Sequence, residues 1–241
     1  MRIPKVRTIQ FRHFPGIALS ILLLSLLTYL LGWSTLLSLK SVTVTGTSES
    51  TLISQSIAAS KPSVHAGIPL ARINVRSLYR TLSKNEWISS VEIGRSWIHG
   101  SLTVAIHERE PVAKYQGSDG VNRYFDINGV DFQSPITYSN IPAVHLGSDT
   151  VEVKSAFATF LTSLHQIAPS LLTSSKGFSI SHPSAISMQE SLSPSRIVTV
   201  IWGSGSDLSL KVNVLNRLLA LKENAKAQIF DISDPLSPLT K

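Results

Sequence analysis

The chain of 241 residues has no cysteine, and only 15% of its residues are charged, against about 25% in an ordinary soluble domain. The absence of cysteine excludes a disulfide scaffold, a thiolate zinc site, an iron–sulfur cluster and a cysteine nucleophile. The apolar fraction of 43% is ordinary, so the low charge density points to a local uncharged segment. The length allows one large domain or two small ones.

One uncharged run explains much of the low charge density. Residues 17–39 are 23 consecutive positions without a charged side chain. As a helix this run would extend about 35 Å and could cross a hydrocarbon core of about 30 Å. A cleaved signal peptide has an apolar region of only about 7–15 residues and a small-residue cleavage site, and the run has neither property. We therefore predict a transmembrane helix over residues 17–39.

Basic residues on one side of the run predict its orientation. Four of them, and no acidic residue, precede the run: Arg2, Lys5, Arg7 and Arg12. The positive-inside rule places the tail 1–16 in the cytoplasm and the chain after Lys40 outside, as in a single-pass type II protein of the cell membrane. Without these four charges the net charge falls from +7 to +3. No basic cluster for nucleic acid stands out in the remainder.

The segment after the run has the pattern of a small α+β domain. Apolar alternation and helical spacing indicate strands at 41–46, 88–97 and 101–108, with helices that begin near Ser50 and Asn74 as capping residues. The order is β-α-α-β-β, in which both helices can cover one face of a three-stranded sheet.

The rest of the chain predicts a second domain over residues 111–232, followed by a tail at 233–241. Asn128-Gly129 between apolar segments is a hairpin signal. The other elements expected are strands at 142–146, 178–181, 185–188, 196–202 and 227–232, with helices at 154–168 and, after Asp207 as a cap, at 208–221.

Several motifs occur in an order that is informative. They are Val42-x-Val44-x-Gly46, Glu86-Trp87-Ile88, Leu102-x-Val104-x-Ile106, Asp126-x-x-Gly129-x-x-Phe132 and Ile229-Phe230-Asp231-Ile232. Placed after an anchor, this set resembles the FtsQ/DivIB cell-division proteins over nearly the whole chain. The resemblance implies an α+β fold with one transmembrane helix, a POTRA domain at 40–110 and an FtsQ-type β domain at 111–232. The family usually has proline at the position of Ile98.

Motifs for catalysis or metal binding are incomplete. His107-Glu108 begins like a zinc-protease helix, but Pro111 stands where the second histidine is needed. Residues 203–206 lack the order of a nucleophile elbow, and the seven histidines have no ligand spacing. We therefore predict no enzyme, no catalytic residues, no metal, no cofactor and no small-molecule substrate.

The resemblance implies a function in binding. It suggests a bitopic divisome protein at the division septum that binds FtsB/DivIC-like and FtsL-like partners and links them to the septal peptidoglycan synthases FtsW and FtsI. Two alternatives remain open at this point. One is a membrane-anchored, extracytoplasmic peptidoglycan-binding or accessory module with an aromatic saccharide groove. The other is a POTRA-containing outer-membrane assembly or secretion protein, although that class needs repeated units.

The predicted partner-binding surface is a sheet edge near the C-terminus, formed by Ile229, Phe230, Asp231 and Ile232. Strand addition there would supply main-chain hydrogen bonds, and we expect Phe230→Lys to weaken binding without unfolding the domain. Alternatively this strand only completes its own sheet, because Pro235 and Pro238 shorten the usable edge.

A second candidate edge contains Val42 and Val44, next to the membrane. The alternative is that both valines serve only in packing.

Overall fold

The computed structural model describes residues 14–33 and 35–241. The fold is mixed α+β, as expected, and the chain divides into two compact units, Met1–Glu108 and Arg109–Lys241. The four basic residues on which the predicted orientation depends lie outside the described residues: Arg2, Lys5, Arg7 and Arg12.

The first helix, α1 (Phe14–Gly32), lies within the uncharged run. Its leucines between positions 19 and 27 expose from 54% to 67% of their surface. The hydroxyls of Ser20 and Thr28 donate to the carbonyl oxygens of Gly16 and Leu24, four residues earlier. Among the residues that the structure describes, no helix is found that is long and apolar enough to cross a membrane.

The rest of the first unit follows the predicted order β-α-α-β-β. Its elements are β1 (Ser41–Thr45), α2 (Ser50–Ala58), α3 (Val75–Leu82), β2 (Ile88–Ser96) and β3 (Ser101–Glu108), with 3-10 turns at Thr35–Leu37 and Leu70–Arg72. The three strands form one sheet in the order β1-β3-β2. β3 is its centre, with β1 parallel and β2 antiparallel to it.

The core of the first unit lies between this sheet and the two helices. Alternate residues of β3 are fully buried, and so are the predicted apolar positions of α2 and α3: Leu102, Val104, Ile106, Ile53, Ile57, Leu78 and Leu82. Asn74 caps α3 as expected, because its side chain accepts the N–H of Ser77 at 3.0 Å. Ser50 does not cap α2, because the helix already begins at Ser50 and Glu49 is its N-cap residue.

The second unit contains nine strands and three α-helices within its described residues. They are β4 (Ala113–Gln116), β5 (Asn122–Phe125), β6 (Asp131–Phe132), β7 (Val144–Leu146), α4 (Val151–Ile167), α5 (Pro169–Ser174), β8 (Ser175–Ile180), β9 (Ile186–Ser193), β10 (Arg196–Gly203), α6 (Leu208–Ala220), β11 (Ile229–Asp231) and β12 (Leu239–Thr240). A 3-10 turn at Lys222–Lys226 follows α6.

These strands form two sheets. β4, β5 and β6 make a small sheet, and the larger one has the order β12-β11-β10-β9-β8-β7. α4 packs on the larger sheet through aromatic contacts, with 5.4 Å between the ring centroids of Phe157 and Phe178 and 5.6 Å between those of Phe160 and Trp202. Because all four rings are buried, this aromatic cluster is the centre of the core.

The predicted hairpin at Asn128-Gly129 is confirmed. The carboxylate of Asp126 accepts the N–H groups of Asn128 and Val130, both at 2.9 Å. Gly129 has a φ of 76°, and a Cβ there would lie 2.5 Å from the carbonyl oxygen of Val151. Both the turn geometry and the close approach therefore require glycine at this position.

Other expectations for the second unit were incomplete or wrong. The serine-rich segment after α5 forms two strands, β8 and β9, that are longer than the expected strands at 178–181 and 185–188. Asp207 makes no side-chain cap on α6, because its backbone is left-handed with a φ of 52°. β4, α5 and β12 were not predicted.

Candidate docking site at the C-terminal sheet edge

The predicted docking strand, β11, is not an open edge. On one side it pairs in parallel with β10, where Thr199 faces Ile229 and Val200 faces Phe230. On the other side it pairs antiparallel with β12, where Phe230 faces Thr240. The expectation of a free edge at 229–232 is therefore wrong, and the alternative that this strand completes its own sheet describes its place in the fold.

Burial differs between alternate residues of this segment. Phe230 and Ile232 expose 0% of their surface, whereas Ile229 and Asp231 are partly exposed. A lysine at position 230 would bury an ammonium group in the core, and burial of an unpaired charge is costly. We therefore expect Phe230→Lys to unfold the domain, which revises the sequence-based expectation that it would weaken binding without unfolding.

The residues after β11 fold back on it. The Asp231 carboxylate accepts the N–H of Ser233 at 3.0 Å and its hydroxyl at 2.7 Å. The Asp234 carboxylate accepts the N–H of Leu236 at 3.0 Å. Such aspartate turns redirect the backbone, so the segment that contains Pro235 and Pro238 is a connection that leads into β12.

β12 is one of the two outer strands of the larger sheet, and β7 is the other. Ile229 and Lys241 exchange two backbone hydrogen bonds, both of 3.0 Å. Because backbone groups alternate between the two sides of an antiparallel strand, Thr240 directs its N–H and C=O away from β11. The hydroxyl of Thr240 donates to the Asn224 side chain at 3.1 Å, which holds this strand to the 3-10 turn. Leu239 is exposed next to it.

A buried lysine holds the C-terminal end of β10, the strand that pairs with β11. The Nζ of Lys211 donates to the carbonyl oxygens of Trp202 and Ser204, each at 2.8 Å. Burial lowers the pKa of Lys211 below its ordinary value. Gly203 stands at this end with a φ of 68°, and a Cβ on it would approach the Ser233 side chain to 2.8 Å. The chain on either side of β11 is thus closely packed.

The other predicted edge, β1, is an outer strand of its sheet. Val42 is 38% exposed and Val44 is half-buried, so neither valine belongs to the fully buried core. Gly46 ends the strand with a φ of 79° against the backbone of Ile106. The structure therefore leaves two outer strands of different sheets, β1 and β12, as candidate docking edges.

The second unit also has a groove of about 1050 Å³. Apolar and polar side chains both border it, and the buried Phe178 is its one Phe, Tyr or Trp residue. The main polar members are Glu110, Lys114, Asn140, His165 and Lys176. Four other aromatic residues of this unit, which a saccharide groove could use, do not line it: Tyr115, Tyr124, Tyr138 and Trp202. Within the described residues, no group of three or more His, Asp or Glu is arranged to hold a metal ion.

Two curated relatives are similar to the chain over most of its length. The cell division protein FtsQ of Mycobacteroides abscessus is 27% identical over 227 residues, an alignment that covers 92% of this chain and 69% of the relative. The cell division protein FtsQ of Streptomyces venezuelae is 28% identical over 254 residues, covering 98% of this chain and 88% of the relative. No protein-family model matches the chain.

These relatives support the FtsQ/DivIB family for this chain. They also support a role in cell division. Both alignments cover more than nine-tenths of the chain, so the similarity to FtsQ proteins extends over both compact units.

Sequence reasoning missed the candidate edge at β12 because a two-residue strand that directly follows Pro238 carries no recognisable alternation.

Proposed function

We propose that the chain is a non-catalytic, bitopic divisome protein that supports assembly of the division septum. The observation that carries this proposal is the similarity to two proteins named cell division protein FtsQ over nearly the whole chain. Under the proposal, residues 40–110 form a POTRA domain and residues 111–232 form an FtsQ-type β domain. Along the chain, the division between the two compact units falls between Glu108 and Arg109, close to the proposed domain boundary at residues 110 and 111.

The membrane anchor is part of the proposal. The uncharged run at 17–39 is long enough to cross a membrane. The leucines of α1 are exposed around the helix, which suits an apolar solvent better than water. The hydroxyls of Ser20 and Thr28 are already bonded to the helix backbone, so they would not be left without partners in lipid.

The partners proposed are FtsB/DivIC-like and FtsL-like bitopic proteins, which would link this chain to the septal synthases FtsW and FtsI. Strand addition at β12 is the proposed mode of docking, because Thr240 offers an outward N–H and C=O at the edge of a six-stranded sheet. The exposed side chains of Leu236 and Leu239 lie on either side of Pro238 and add apolar contact area.

Localisation tests the proposed function. A fluorescent protein fused before Met1 should gather at midcell in dividing cells, and depletion of the chain should give filaments that fail to divide. The matched control carries the same fluorescent protein on residues 1–40 only, which keeps the proposed anchor and removes both folded units. A uniform membrane signal from the full-length fusion throughout the cell cycle would contradict the proposal.

A further inference from the structure

The hairpin tip between β2 and β3 has an unusual surface for a turn. Ile98 is 90% exposed, and the neighbouring Trp97 is exposed as well. The tip is a tight turn closed by Gly100, which has a φ of 66°. Exposure of an isoleucine and a tryptophan to water is unfavourable. Turn positions usually carry polar or small residues instead.

The tip lies beside the chain that leaves α1. The N–H of Lys40 donates to the carbonyl oxygen of Gly100 at 2.7 Å, and the N–H of Ser41 donates to the same oxygen at 3.4 Å. A Cβ on Gly100 would lie 2.7 Å from the carbonyl oxygen of Ser38. Only seven residues separate Gly32, the end of α1, from Lys40, so the tip is held at the end of the unit from which α1 emerges.

Aromatic and basic side chains accompany the tip at this end. Trp33 follows α1 directly and is 62% exposed. The guanidinium of Arg72 lies 4.7 Å from the ring centroid of Trp33, and that of Arg95 lies 5.9 Å from the ring centroid of Trp97. The turn that contains Arg72 is tied to the same segment, because the N–H of Leu39 donates to the carbonyl oxygen of Ile68 at 2.8 Å.

We propose that the hairpin tip, with Trp97 and Ile98, inserts into the lipid–water interface of the membrane that holds α1. Tryptophan rings prefer this interface, and arginine side chains beside them can reach the phosphate groups of lipids. The inference rests on the membrane anchor of the proposed function. It gives the first unit a second attachment, besides α1, that would restrict its tilt over the membrane surface.

Fluorescent labelling tests the insertion, and the lack of cysteine in the natural chain allows a single label at each site. The full chain, with Ile98→Cys, would carry an environment-sensitive fluorophore in nanodiscs of phosphatidylglycerol and phosphatidylethanolamine. Lipids with a nitroxide near the headgroup should quench this fluorophore several-fold more than one at Ser90→Cys. Ser90 is exposed on the same hairpin, about 20 Å along β2 from the tip.

A third label, Leu23→Cys in the middle of α1, is measured with lipids that carry the nitroxide on the acyl chain, and it separates the possible failures. If lipid nitroxides quench the fluorophore at position 23 but quench those at positions 98 and 90 to the same extent, the tip does not insert. That result overturns only this inference. If position 23 is not quenched either, the proposed anchor itself is wrong. If position 98 is protected from aqueous iodide but not quenched by lipid, a protein surface covers the tip, and this result also overturns the insertion.

Discussion

At the scale of single residues, three of the buried charged side chains in the second unit have different surroundings: Lys154, Lys211 and Glu190. Lys154, only 2% exposed, donates to the carboxylates of Asp131 and Asp149. Burial alone would lower its pKa, but these two hydrogen bonds raise it above the ordinary value. Lys211 has two carbonyl partners. Glu190 has the fewest partners: among the described residues, the Ser174 hydroxyl donates to its Oε1, and its Oε2 has no hydrogen-bond partner.

Glu190 makes the stability of the second unit dependent on pH. It is 3% exposed, and burial raises its pKa above the ordinary value of 4.5 although the Ser174 hydroxyl opposes this. A raised folded-state pKa stabilises the fold below the unfolded pKa, and this contribution is lost as the pH rises through the folded pKa. Glu190→Gln should therefore stabilise the unit by about 1 kcal/mol near pH 7 and by much less near pH 4.

Urea unfolding checks this prediction through the fluorescence of Trp202, the one tryptophan of the second unit. The other three tryptophans would be replaced by phenylalanine: Trp33, Trp87 and Trp97. Ser174→Ala is the matched variant, because it removes the hydroxyl that favours the ionised carboxylate and should increase the pH dependence. In the Glu190→Gln background, Ser174→Ala should leave the pH dependence of the stability unchanged. Equal stability of Glu190→Gln and the parent protein at both pH values would contradict the prediction.

At the scale of elements, the outer strand β12 can be tested without disturbing the core. Thr240→Pro removes the outward N–H, whereas the inward pairings of Leu239 and Lys241 with β11 remain. Proline is tolerated at an edge when the missing N–H faces solvent. Loss of one hydrogen bond of about 1.4 kcal/mol should weaken binding of the FtsB/DivIC-like partner by about tenfold, as measured by calorimetric titration.

Thr240→Val is the control for this strand. It keeps the backbone N–H and removes the hydroxyl that donates to Asn224, so it should bind the partner as the parent protein does. Circular dichroism should show both variants folded, in contrast to Phe230→Lys, which should unfold the unit because Phe230 is completely buried. Equal affinity for Thr240→Pro and Thr240→Val would exclude strand addition at β12.

Elements with strong local signals were predictable from the sequence. Alternation located β3, the Asn-Gly pair located the hairpin before β6, and Asn74 located the start of α3. Strand pairing is a long-range property, so the sequence pattern did not show that β12 covers β11 or that Phe230 faces the core. Asp207 shows the same limit at short range, since a capping residue type stands there in a left-handed conformation without capping.

At the scale of the whole molecule, charge has an uneven distribution along the chain. The segment before the uncharged run carries four basic residues and no acidic one, while the rest of the chain has a net charge of only +3. A protein with a net charge of +7 can attract nucleic acid, but here the excess is concentrated in one short tail. Under the proposed function, this tail would direct how the chain is inserted in a membrane, and it adds nothing to the charge of the folded units.

Removal of this charge bias should change the orientation of the proposed anchor. With alkaline phosphatase fused after Lys241, the parent chain should give high periplasmic activity, since this enzyme is active only outside the cytoplasm. The test variant replaces the four basic residues of the tail by glutamine: Arg2, Lys5, Arg7 and Arg12. Its phosphatase activity should be several-fold lower, because no charge bias then retains the N-terminus inside. The control replaces four exposed basic residues far from the run: Lys61, Arg76, Arg80 and Lys84. Equal activity in both variants would exclude the tail as the determinant of orientation.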